Sequence, residues 1–211
     1  MHRAFLILLP TIAAFSAAGC VVGNANGQPY SDNLRASYAG FDEVDASAGV
    51  EVIVAQGKFD VSAMSPNNSD MKNLIVEVRD HTLHISRKQT MGWGGNQRYR
   101  VNVSAPAYTG FEASSGSSIT GSNLQLADVE IDVSSGARIE LSGACKSVRG
   151  DASSGASFSG QDLKCETASF EASSGASARA FATADARGDA SSGASVNFFG
   201  NPARLDRDES S

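Results

Sequence analysis

Between residues 129 and 141 small and apolar side chains occupy every second position. Val129, Ile131, Val133, Ser135, Ala137, Ile139 and Leu141 share one parity, and Glu130, Asp132, Ser134, Arg138 and Glu140 share the other. A period of two marks a half-buried strand, because successive side chains point to opposite faces. The pattern returns one unit later, with Val148, Ala152, Ser154, Ala156 and Phe158 set against Arg149, Asp151, Ser153 and Ser157. Read by parity alone, it predicts an inward serine column of Ser115, Ser135, Ser154, Ser174 and Ser192. Beside it should run Ile119, Ile139, Phe158, Ala178 and Val196.

The alternation is itself repeated. Ser-Ser-Gly begins at Ser114, Ser134, Ser153, Ser173 and Ser191, and each copy is preceded by an acidic residue: Glu112, Asp132, Asp151, Glu171 and Asp189. A degenerate copy, Asp45-Ala-Ser-Ala-Gly-Val, lies far upstream. A period near 20 residues means one supersecondary unit per repeat, stacked on its neighbours. No helix-length amphipathic segment interrupts the repeats. The expected fold is therefore all-β, a right-handed parallel β-helix (β-solenoid) with about 20 residues per repeat, the hand following the usual chirality of parallel crossovers. Equivalent residues would stack about 4.8 Å apart, and the glycine of each copy would supply a bend.

The flanks are less regular. Residues 41–55, 59–64 and 98–103 read as strands, and 74–78 with 83–86 as a hairpin around Asp80 and His81. This half is expected to start the solenoid with wider or antiparallel strands and to cap its end. A glycine loop at 91–95 carries Trp93, the only tryptophan. Residues 201–211 are polar and are expected to cap the other end or fray, the folded domain ending at 206 and 207–211 forming a tail. At the start, Arg3 precedes an apolar run over residues 4–18, too short for a membrane span of about 20 residues. It reads as a signal peptide of residues 1–19. Ser16-Ala17-Ala18-Gly19-Cys20 resembles a lipobox, which implies a lipid on Cys20, a tether over 20–40 and a folded domain over 41–206. Val21 after that cysteine points by lipoprotein sorting rules to the outer membrane more than the inner.

Composition sharpens the picture. Of 211 residues 41% are hydrophobic and only 7% aromatic. Serine, alanine and glycine suit a thin repetitive core and not a thick globular one. The formal net charge of -6 disfavours nucleic acid as a partner. Cys145 and Cys165 each precede a Ser-Ser-Gly by eight residues, so they share a column, and rung spacing suits a disulfide. The acidic residues form an outward column, either a solvated face or a candidate site for a divalent cation such as calcium. Trp93, Tyr99, Tyr108, Phe198 and Phe199 are candidates for a ligand patch, Trp93 foremost. No Gly-x-Ser-x-Gly elbow is present; His81 reads as a turn residue and His84 as an exposed strand residue. The reading is a non-enzymatic, lipid-anchored envelope protein without a cofactor, presenting a rigid surface to a protein or polysaccharide. The alternatives are a carbohydrate-active enzyme on a β-helix, or a module that forms homo-oligomers through its ends.

The segment Phe41-Asp42-Glu43-Val44-Asp45-Ala46-Ser47-Ala48-Gly49-Val50-Glu51-Val52, the strand around Leu83-His84-Ile85, the serial Ser-Gly units and Gly200-Asn201-Pro202 resemble, in that order, the head-GIN-domain family of auto-transporter adhesins. The resemblance covers roughly residues 41–206. It implies an exported β-helical domain with an adhesion role and supplies no catalytic residues.

Overall fold

The computed structural model describes residues 29–65, 68–88 and 99–210. Its strands form a β-solenoid of about five coils, each roughly 20 residues on from the last. In the regular part, strands β7 (Gly110–Ala113), β9 (Asp128–Val133), β10 (Arg138–Ala152), β11 (Ser157–Ala172) and β12 (Ser177–Ser191) pair in parallel directly or through β8 (Ser118–Gln125). β10, β11 and β12 each run along one wall, round a corner and along the opposite wall. Ile139 therefore stacks on Phe158 on one side while Ile131 stacks on Gly150 on the other.

Each Ser-Ser-Gly forms a corner. The second serine has φ near +52° and the glycine φ near +71°, positive values at both central positions of a two-residue turn as type I′ requires. Ala137 N–H closes the turn on the Ser134 carbonyl at 3.0 Å, and Gly136 N–H donates to the Ser154 carbonyl of the next coil at 3.1 Å. The turns thus bond coil to coil. The serine column predicted to point inward is at these tips instead: Ser115, Ser135, Ser154, Ser174 and Ser192 are all exposed. Parity fails because a left-handed pair turns the chain through the corner between Val133 and Ala137. Those two residues, an even number apart, both remain inside.

The amino-terminal half places its coils out of chain order. β1 (Glu43–Ala46) lies between β5 (Thr82–Arg87) and β7, and β2 (Glu51–Gln56) lies between β6 (Arg100–Ala105) and β8. The degenerate Asp45 copy is a full coil: Ala48 and Gly49 have φ of 58° and 75°, the corner geometry of the later repeats. Antiparallel strands β3 (Asp60–Met64) and β4 (Leu74–Arg79) close this end, with a 3-10 turn at Asp32–Ser37 beside β3. At the other end β13 (Ser195–Phe199) and β14 (Arg204–Ser210) pair only with β12. Residues 207–210 are thus the last strand of the solenoid and not a tail.

The core is one continuous cluster that thins along the axis. Val129, Ile131, Val133, Ile139 and Leu141 fill one coil, whereas Ala172, Ala176, Ala178, Ala180, Ala182, Ala186 and Ala190 line the later ones. Large residues are set against glycines. The rings of Phe158 and Phe170 stack at 4.8 Å from opposite walls, and a Cβ on Gly150 or Gly160 would collide with one of them at 2.8 or 2.5 Å. Cys145 and Cys165 are register partners with Cα atoms 4.5 Å apart, joined as a disulfide.

Candidate interaction surface

One wall of the solenoid carries its polar side chains in straight files. Period-two strands put every second residue outside, and parallel register puts equivalent residues side by side about 4.8 Å apart. Glu112 aligns with Asp132, Asp132 with Asp151, Asp151 with Glu171 and Glu171 with Asp189. The file extends further than the repeats foretell. Asp45 adjoins Glu112, Asp208 adjoins Asp189, and His84 adjoins Asp45. Seven carboxylates thus stand in single file with an imidazole at one end.

Asp45 opens the degenerate copy, and Asp208 follows Asp189 by nineteen residues, a spacing that points to the file although residues 207–211 read as a tail. No such spacing points to His84, because a β-hairpin and a non-sequential coil bring it there. Its Nδ1 lies 2.8 Å from Asp45 Oδ2, and it is half-buried, not exposed. His81 occupies the hairpin turn, with φ of 66° and Nδ1 3.1 Å from the Gly40 carbonyl.

Like charges at this spacing disturb one another. Burial raises the Glu112 carboxyl above the usual glutamate value; Asp45 and Asp132 push the same way and His84 opposes them. Asp132 is likewise raised, first by burial and then by Asp151 and Asp45. The file does not fold around a point, however. Among the described residues no three histidine, cysteine or acidic side chains are grouped so as to hold a metal ion. The candidate cation column of Glu112, Asp132, Asp151, Glu171 and Asp189 is a line along the axis.

Two grooves run along this wall. One, of about 460 Å³, lies between the Asp151, Glu171 and Asp189 carboxylates and the Ser153, Ser173 and Ser191 hydroxyls. The other, of about 340 Å³, is bordered by Arg149, Arg187 and Arg204 with Ser147, Thr167 and Ser169. Its guanidiniums are partly engaged: Arg204 pairs with Asp185 at 3.0 Å, and Arg187 with Asp189 at 3.4 Å. The aromatic candidates do not gather into a patch. Tyr99 and Tyr108 are buried in the amino-terminal half, while Phe198 and the exposed Phe199 lie at the far end. Trp93 and Cys20, with the segment 1–19 read as a signal peptide, lie outside the described residues. Among those described, no helix is long and apolar enough to cross a membrane.

Residues 40–202 match the profile of a family described as "Putative auto-transporter adhesin, head GIN domain". None of the curated proteins compared with the chain matches it. Among solved structures, the crystal structure of a "putative adhesin" from Bacteroides fragilis aligns with a TM-score of 0.58 at 16% identity, covering 81% of this chain and 90% of that one. At that identity the likeness is one of fold. A "putative lipid binding protein" from Parabacteroides distasonis aligns at 0.34 and 14% identity, covering 80% of this chain and 93% of that one. A "putative adhesin" from the same organism aligns at 0.41 and 10%, with the same coverage.

Proposed function

This chain belongs to the head-GIN-domain family of auto-transporter adhesins, and from that premise we propose that it is a non-enzymatic envelope protein that adheres to a protein or polysaccharide through the outer wall of its solenoid. The observation that carries the reading is the file of seven carboxylates from Asp45 to Asp208, with the two grooves beside it. Parallel backbone bonds fix the spacing of these groups before any partner arrives, so little side-chain order remains to be imposed on binding. An extended polymer or a flat protein face can engage several equivalent groups at once, which multiplies weak contacts.

The same reading places a lipid on Cys20, with the chain exported and held at the outer membrane through the segment before residue 41. The antiparallel end carrying Pro29, which bridges to Ile75, would then face the membrane, and the β13–β14 end would point away.

A glycan array and a panel of isolated envelope polymers, probed with the folded domain, test the central claim. Saturable binding that weakens at least several-fold in the Asp151→Asn/Glu171→Gln double variant is expected. Binding to none of the panel, or binding indifferent to those substitutions, would remove this wall as the adhesive surface.

A further inference from the structure

The disulfide closes a loop of one coil. Cys145 ends one turn of the solenoid, Cys165 ends the next, and their separation of 20 positions is one complete circuit. On its amino-terminal side the inner positions are large: Phe111, Ile119, Leu124, Ile131, Ile139 and Leu141. On its carboxy-terminal side Phe170 is the one large buried ring, and the other buried apolar positions are alanine until Val196. The outermost strand is weaker still. Along β14 the positions that continue the inner rows of Ala186, Gly188 and Ala190 hold Leu205, Arg207 and Glu209, and every residue of the strand is exposed.

In a solenoid each coil touches only its neighbours, so stability is local and can differ along the axis. Less apolar area removed from water means less resistance to opening. The bond also sits deep: Cys145 is 8% exposed and Cys165 2%. A reductant reaches it only after the adjoining coil has opened.

We propose that the Cys145–Cys165 disulfide is a clamp that divides the solenoid into a rigid part, the described residues from 41 to 165, and a carboxy-terminal part, residues 166–210, that opens on its own. While the bond is intact, opening that begins at β14 stops at the closed coil. When the bond is cleaved, opening passes through residues 146–165 to the large-residue core. Cleavage is disulfide exchange with an external dithiol: two electrons pass to the protein, giving two protein thiols, and the dithiol leaves as its own disulfide. Opening would bare the edge of β11, so the clamp sets how much strand edge the protein can offer to a partner.

Hydrogen exchange resolved by peptide tests this on the folded protein. In the oxidised state, amides in 166–210 should exchange at least tenfold faster than those in 110–144, with 146–165 in the slow class. After reduction by dithiothreitol, or in the Cys145→Ser/Cys165→Ser variant, 146–165 should join the fast class while 110–144 keeps its protection. Val196→Ala, with the disulfide intact, should speed exchange only in 166–210. Uniform protection across 110–210 in the oxidised protein would overturn the division. So would a Val196→Ala effect that spreads through the whole chain, or a loss of the disulfide that leaves 146–165 slow.

Discussion

Asp132 stands between Glu112 and Asp151, and its neighbours decide how it ionises. Burial comes first and the Asp151 and Asp45 carboxylates second, and both make the charged form harder to reach. Glu112 shares this environment. A carboxyl whose folded value lies above its unfolded value binds its proton more tightly in the native state. It therefore lowers stability at neutral pH, and that loss is relieved as pH falls through the raised folded value. The file should make the protein more stable in mild acid than at neutrality. Asp132→Asn should raise the melting temperature at pH 7 and flatten its dependence as pH falls from neutrality through the carboxylate range. Melting curves across that range decide it: a wild-type Tm that falls steadily on acidification from pH 7 contradicts the coupling.

At the scale of elements the corner dominates. Gly136 has φ of +71°, and a Cβ placed there meets nothing within 4 Å. Gly136→Ala should therefore cost only the left-handed strain of about 1–2 kcal/mol, read by denaturant titration, with no change in fold by circular dichroism. A cost above about 4 kcal/mol would mean that the corner does more than turn the chain. These corners also explain how far the sequence could be read. Period-two alternation and a spacing of 18–20 residues give strand and coil directly, because both follow from backbone geometry that repeats identically. The acidic file was legible for the same reason: Glu112, Asp132, Asp151, Glu171 and Asp189 begin successive copies of one unit. Parity misplaced Ser115, Ser135, Ser154, Ser174 and Ser192, because alternation says nothing about positive φ. The placement of β1 between β5 and β7 was hidden for a different reason. Asp45 meets Glu112 from 67 positions away along the chain, and no local pattern records a pairing at that distance. His84 entered the file by the same route.

The whole molecule has two unlike ends, and this bears on whether copies assemble along the axis. Antiparallel β3 and β4, with the 3-10 turn at Asp32–Ser37, close one of them. The other leaves β13 and β14 with unpaired edges, which in a β-solenoid invite a second chain. β13 is uncharged and carries Phe198 and Phe199. On the opposite wall, however, the inner rows end in Arg207 and Glu209, and the Arg207 guanidinium lies 5.8 Å from the centre of the Phe198 ring. Charges turned toward the core at a sheet edge make stacking unfavourable, since an incoming coil would have to bury them. The end is thus blunted by two residues that cost the last coil apolar burial. Replacing both, as Arg207→Leu/Glu209→Val, should strengthen that coil and at the same time uncover a continuous apolar end. Light scattering after size exclusion should then show concentration-dependent association in the variant and a monomer in the wild type. If the wild type already associates through this end, or the variant stays monomeric at the same concentrations, the inward charges are not what keeps the solenoids apart.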